Sequence, residues 1–135
     1  MRDSIFGIVN IAMPHPTSLE ELESRLFSAL AHPARLHILE LLRGGETCVC
    51  HIQAVLGHRQ AYVSQQLMAL RAAGLVARRK EGLRIYYRLS HPRLSNVMDA
   101  ARSVVRAQHK GQPVVQTGLT PRRLCRCPQC APVLA

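Results

Sequence analysis

The sequence predicts a mainly α-helical domain that carries one small β-hairpin. Apolar residues recur at three- and four-residue spacing through residues 17–73, in segments broken by Gly and Pro. The spacing changes to alternation over 75–89 and returns to the helical period over 92–110. No strand-helix-strand alternation is present, which argues against a parallel sheet and the enzymes built on one.

Residues 1–16 show no helical period and close on two prolines, so they are expected to form a flexible arm. "TSLEELESRLFSALAH" offers Thr17 or Ser18 as an N-cap with Glu20 or Glu21 three residues on, and Leu19, Leu22, Leu26, Ala29 and Leu30 make one apolar stripe. "HPARLHILELLRGG" places Pro33 at a first helical position, turns Leu36, Leu39 and Leu42 to one side with Ile38 beside them, and stops at Gly44-Gly45. Thr47 is expected to cap a third helix, with Val49, Ile52, Val55 and Leu56 inward and Gly57 as its end. "RQAYVSQQLMALRAAG" then gives a fourth, with Ala61, Val63, Leu67 and Leu70 inward.

"LVARRKEGLRIYYRLS" reads as two strands turning at Glu81-Gly82. Ser90, followed by Pro92, is expected to open a last helix with Leu94, Val97, Met98, Ala101, Val104 and Val105 on one side. Residues 111–124 are rich in Gly, Pro, Thr and Gln and read as a linker. The expected organisation is thus an arm at 1–16, one domain at 17–110, and a linker with a cysteine-rich tail at 111–135.

The chain has 135 residues and a net charge of +10, and 16 of its 18 cationic side chains are arginine, the residue best suited to phosphate and base edges. A polyanion is the expected partner. A membrane surface is the weaker candidate: the one apolar stretch, "IFGIVNIAM", is short, interrupted by Asn10 and without a cleavage site, so neither a span nor a signal peptide is expected and the chain is placed in the cytoplasm.

Helix, short turn, helix and hairpin is the element order of a winged helix-turn-helix, whose second helix enters the major groove of double-stranded DNA. The outward side of the fourth helix carries Arg59, Gln60, Tyr62, Ser64, Gln65, Gln66 and Arg71, amides and hydroxyls for base edges flanked by cations for phosphate. Around the hairpin stand Arg78, Arg79, Lys80, Arg84 and Arg88 with no acid but Glu81, as a wing along the DNA backbone requires. An ordinary edge hairpin whose charges block aggregation is the bland alternative, and the amide-rich helix before it favours DNA.

The run from "LFSALAHPARLHILELL" through "ETCVCHI" and "VSQQLMALRAAGLV" to the hairpin resembles the ArsR/SmtB family of dimeric winged-helix repressors. "ETCVCHI" is similar to that family's Glu-Leu-Cys-Val-Cys-Asp-Leu metal box, with His51 in place of Asp. The resemblance implies a homodimer built by the first and last helices. It also implies an operator DNA partner that is released when an inducer binds.

Five cysteines in a reducing compartment point to a metal or redox role. On a regular helix, residues two apart lie about 200° round the axis, so Cys48 and Cys50 are expected to share an ion only if the first turn of the third helix is altered. Soft ions want three or four sulfurs. The family completes the box from a nearby third cysteine or from an N-terminal arm, but Gln53 stands in the first place and the arm holds no cysteine. "CRCPQC" offers Cys125, Cys127 and Cys130, and a 14-residue linker spans roughly 20 Å as a flexible coil, enough to reach the third helix of either subunit.

A composite site of Cys48, Cys50 and one or two tail cysteines is therefore expected, with a separate three-sulfur tail site as the rival. As(III) or Sb(III) is the first choice of ion, ahead of Cd, Pb or Zn. Neighbouring Arg122, Arg123 and Arg126 are expected to lower the tail thiol pKa values, which keeps a thiol-redox sensor open as an alternative. His32 and His37 are expected to be structural, and His51 an auxiliary donor. A zinc site on the last helix is not expected, because Asp99 and His109 lack their partner residues. A thiol-handling enzyme and a plain architectural DNA binder are the competing function classes.

Overall fold

Ser18 starts the first helix through a complete capping box: its Oγ accepts from the Glu21 N–H at 3.1 Å, and the Glu21 carboxylate accepts from the Ser18 N–H at 3.0 Å. The computed structural model describes residues 17–121 together with Cys125 and Cys127; the arm at 1–16 and Cys130 lie outside the described residues. Five helices follow in order, α1 (Leu19–Leu30), α2 (Pro33–Leu42), α3 (Val49–Leu56), α4 (Gln60–Ala72) and α5 (Leu94–Gln108). Strand β1 (Thr47–Cys48) precedes α3, and β2 (Val76–Glu81) and β3 (Arg84–Leu89) lie between α4 and α5.

The sheet has three strands in the order β1-β3-β2, one more than the sequence predicts. Thr47 stands opposite Tyr87 and Cys48 opposite Tyr86, both antiparallel. This pairing corrects the expected cap of α3. Thr47 belongs to β1 and its hydroxyl donates to the Gly45 carbonyl at 2.9 Å, while Cys48 is the N-cap and makes no side-chain cap bond. A strand of two residues has no alternation to read, so only the pairing with β3 defines it.

Two other boundaries move. Glu81 pairs with Arg84, so the hairpin turns at Gly82-Leu83, and Gly82 takes a φ of +59° that a side chain would strain. Helix α5 begins at Leu94 and not at Ser90, because the Ser90 N–H bonds to the Leu75 carbonyl at 2.9 Å and ties the end of the hairpin to the residue that precedes β2.

Ile38 and Leu39 of α2, Ile52 and Val55 of α3, and Val63, Leu67 and Leu70 of α4 are fully buried in one core that Leu94 and Met98 of α5 close. Truncating any of these leucines or isoleucines to alanine is a change of about 2–5 kcal/mol. Four positions read as inward are exposed instead: Leu19, Leu22, Leu36 and Ala61. On α5, Val104 and Val105 are also open to solvent. Phe27, Leu36, Val105, Val114 and Val115 line an apolar groove of about 600 Å³ between α1, α2, α5 and the segment after α5. That segment contains no helix or strand between residues 113 and 121, and the Gly118 carbonyl is 2.9 Å from His37 Nε2, which fastens it to α2.

Candidate functional site

Of the residues expected to read DNA, Arg59, Gln60, Gln65 and Arg71 are exposed along α4, and Ser64 is half-buried beside them. Gln66 is not on that face. It is buried, and its Oε1 accepts from Arg35 Nε at 2.9 Å, while Arg35 Nη1 also donates to the Ala29 carbonyl at 3.3 Å. Gln66 falls on the stripe of Val63, Leu67 and Leu70, three and four residues apart, so helical phase assigns it inward and Arg35 satisfies its amide oxygen. Tyr62 is half-buried, with its hydroxyl 3.4 Å from His32 Nε2 and the His58 ring edge-on at 4.9 Å between centroids.

Two residues on these surfaces escaped the sequence reading. Met68 is 67% exposed on α4, three residues after Gln65 and four after Ser64, a spacing that was legible. Leu83 is fully exposed at the hairpin tip, where its alternation phase points nowhere in particular because it belongs to the turn.

On the hairpin, Arg78, Lys80, Arg84 and Arg88 face solvent. Arg79 is occupied. Its Nη2 lies 2.6 Å from Glu46 Oε1, its Nη1 lies 2.8 Å from Glu81 Oε2, and its guanidinium stacks 4.6 Å from the centre of the Tyr86 ring. The expectation that Glu81 is the wing's sole acid is corrected: Glu46, thirty-three residues away, reaches it across the β1-β3 pairing. Hydrogen bonding with Arg79 holds the Glu46 carboxyl below its ordinary range.

Tyr86 has the cysteines on its other flank. Cys48, Cys125 and Cys127 are buried together with Ala54, and Cys50 and Tyr86 pack against them. The Sγ atoms of Cys48 and Cys50 are 2.7 Å apart. No altered helical turn is needed to bring them together: Cys48 is the extended N-cap, with φ −66° and ψ 141°, and Cys50 is the second residue of α3, so the pair straddles a strand-to-helix junction. Cys127 joins them, with the three sulfurs within 4.8 Å of one another. Ala54, four residues after Cys50 on α3, leaves the space in which the tail sulfurs lie.

Burial disfavours charge at two members of this cluster. Burial, followed by hydrogen bonding with Cys48, Cys125 and Cys127, pushes the Cys50 thiol far above its ordinary value of 9.0. Burial lowers His51 below its ordinary 6.5, so its imidazole is neutral at pH 7. The sulfurs fit a soft ion by their chemistry: several thiols converge, three of them buried and that of Cys50 half-buried, and such an ion binds by displacing their protons.

The cluster is joined to both elements expected to face DNA. Through β1 it is hydrogen-bonded to the wing strand that carries Tyr86. Through α3, whose Ile52, Val55 and Leu56 share a core with Val63, Leu67 and Leu70, it is packed against α4. On the far side of α2, Asp99 of α5 bonds Arg43 at 2.8 Å and Glu40 bonds Arg102 at 2.8 Å, while His109 lies 3.1 Å from the Gln112 side chain.

Residues 32–78 match the model of the bacterial regulatory protein family arsR, a range that includes Cys48 and Cys50 and ends before the tail. The chain is 40% identical over 79 residues to the biofilm growth-associated repressor of Agrobacterium fabrum, covering 58% of this chain and 68% of that one. It is 35% identical over 91 residues to a transcriptional repressor SmtB homolog of Synechocystis, covering 66% and 69%. Among solved structures, it is similar to Rv0081 of Mycobacterium tuberculosis, with a TM-score of 0.62 and 35% identity over 69% of this chain and 94% of that one. The homodimeric winged helix-turn-helix DNA-binding domain of a possible ArsR-family regulator from Mycobacterium bovis matches with a TM-score of 0.63 and 30% identity, over 77% of this chain and all of that fragment.

Proposed function

The chain belongs to the ArsR/SmtB family of winged helix-turn-helix transcriptional regulators, and from that premise we propose that it is a homodimeric repressor released from operator DNA by a thiophilic ion. It is a DNA-binding regulator and not an enzyme, as its relatives are. No described helix is long and apolar enough to cross a membrane, and the proposed place of action is the cytoplasm.

One observation carries the inducer reading: Cys127 of the tail comes within 4.8 Å of Cys48 and Cys50, with Cys48 and Cys127 buried. The residues that would hold the ion are Cys48, Cys50 and Cys127, with Cys125 alongside and Cys130 as the remaining tail thiol. Trivalent arsenic or antimony is the first choice because each takes three thiolates, and cadmium, lead and zinc follow. Release would travel by β1 to the wing and by α3 to α4, since a ligand that binds one arrangement of these elements better than another shifts the protein toward it.

DNA would meet α4 through Arg59, Gln60, Gln65 and Arg71, with Ser64 and Tyr62 at its margin, and the wing through Arg78, Lys80 and Arg84, joined by Arg79 when it leaves Glu46. A second copy is the proposed cover for the exposed apolar residues of α1 and α5, including Leu22, Phe27 and Val104. The domain at 17–110 would supply DNA binding and pairing, and the segment at 111–135 would supply half of the inducer site.

The sulfur proximity also supports a competing reading, a disulfide-forming redox sensor. The raised Cys50 pKa bears on both readings alike, since the thiolate is the form that oxidises and also the form that binds an ion. A gel-shift on the protein's own promoter region separates the two. Release by arsenite, antimonite, cadmium, lead or zinc under reducing conditions supports the ion reading. Release only by a thiol oxidant overturns it. X-ray absorption on the arsenite-loaded chain should count three sulfurs, and fewer after removal of residues 122–135.

A further inference from the structure

His51 follows Cys50 on α3 and shares the cysteine pocket. Its ring nitrogen and the sulfurs of Cys125 and Cys127 all lie within 4.8 Å of one another. Cys48, Cys50 and Cys127 satisfy the same limit, so two three-donor groups overlap and Cys127 belongs to both. Cys50 packs against the buried group that holds Cys48, Cys125 and Cys127, which makes the five side chains one continuous cluster.

The two groups differ in chemistry. Three sulfurs suit the softest ions, whereas an imidazole beside thiolates suits borderline divalent ions such as zinc and cobalt, which are held in Cys₃His and Cys₂His₂ sets. We propose that His51, Cys125 and Cys127 form a second, mixed nitrogen-sulfur metal site for a borderline divalent cation, which shares Cys127 with the all-sulfur group and so excludes an ion there. This rests on the reading of the thiol cluster as an ion site and adds a donor and a class of ion to it.

The balance of charge follows from the donors. A divalent cation that binds Cys125 and Cys127 as thiolates releases two protons to solvent, is neutralised by the two sulfurs, and leaves the imidazole uncharged. Water can supply the fourth donor, as at zinc sites with three protein ligands. The cluster thereby sorts ions by donor preference: zinc-like ions engage α3 through His51 and draw on the tail, while arsenite-like ions engage the strand-to-helix junction through Cys48 and Cys50.

The test uses the full reduced chain under anaerobic conditions, with Co(II) as the spectroscopic probe and arsenite as the all-sulfur probe. The wild-type chain should bind Co(II) with the ligand-field bands of a four-coordinate site. His51→Gln should weaken Co(II) binding by at least about 10-fold, the scale on which metal sites respond even to loss of an outer hydrogen bond, and should shift the bands. Its arsenite affinity should stay within about twofold of wild type, which also shows that the variant is folded.

Arsenite-loaded wild type should take up no Co(II). Wild-type Co(II) bands and affinity in His51→Gln would overturn the assignment of His51, and simultaneous binding of cobalt and arsenite would overturn the sharing of Cys127. Either result leaves the thiol-cluster reading standing if Cys48→Ser/Cys50→Ser loses arsenite. A wild-type chain that binds neither ion would overturn both readings.

Discussion

On α4, no side-chain hydrogen bond or ion pair among the described residues ties down Arg59, Gln60, Gln65 or Arg71. On the wing, Arg79 is gripped by two carboxylates and an aromatic ring. Both surfaces turn cations outward, but only one of them ends against the cysteines. Helix α4 presents the face proposed for base edges, held from behind by leucines and by the Arg35-Gln66 bond. The wing shares its strand β3 with the short strand β1, so a movement of Cys48 is expected to reach Tyr86 and, through its ring, Arg79. Control by a bound ion is therefore expected to show most strongly at the wing.

The largest effect should come from cutting the cluster away from both surfaces. Cys48→Ser/Cys50→Ser should leave operator affinity unchanged without an ion and abolish release, collapsing a ratio on the order of 5–150-fold to one. Fluorescence anisotropy with and without arsenite measures it, and a double variant that still lets go would detach the cluster from control.

Next comes the readout itself. Gln65→Ala should weaken operator binding by about 1–3 kcal/mol and relax preference at one base pair, as loss of a base-edge contact does. Lys80→Ala should weaken all sequences alike and reduce the salt slope by about one. If the two variants give the same profile across operator sequences, the division between reading helix and positioning wing is wrong.

Glu46→Ala probes the connection between wing and cluster with a smaller effect. It removes one of the two carboxylates on Arg79, so DNA binding without an ion should tighten and its salt dependence steepen by up to about one ion. The response to arsenite should shrink. Weaker DNA binding in this variant would mean that the pair sets the wing's geometry and does not hold Arg79 in reserve.

The smallest change concerns neither surface directly, since the ion pairs joining α2 to α5 support both. Burial raises the Glu40 pKa, but hydrogen bonds from Arg102 and Arg43 outweigh it and the net shift is below the ordinary 4.5. The hydrogen bond from Arg43 likewise holds Asp99 below 3.8. Carboxylates with lowered folded values add stability that is complete above the unfolded values and is lost as pH falls through the folded ones. The Tm should therefore decline below about pH 4.5, with a shallower decline in Arg102→Ala, while the ratio of wing to α4 effects stays fixed.

The cluster was half legible in the sequence. The spacing of Cys48 and Cys50 and the crowding of the tail cysteines named the sulfurs, but the helical rule that separates residues two apart argued against their convergence. That rule does not apply at a junction where one residue is extended and the other helical. Gln66 was readable from its phase and was passed over for its polarity. The Glu46-Arg79 pair was not readable, because its partners are brought together by the pairing of a two-residue strand.

By itself the sequence determined the five helices, the hairpin and the surplus of arginine, because apolar spacing, Gly and Pro stops and side-chain charge act over a few residues at a time. The tertiary structure decided which sulfurs meet, which wing cation is held back, and which apolar residues of α1 and α5 remain open. Those outcomes depend on contacts between segments up to about eighty residues apart, such as His37 with Gly118. Local spacing carries no record of such contacts, which form only when the core of α2, α3 and α4 sets their distance.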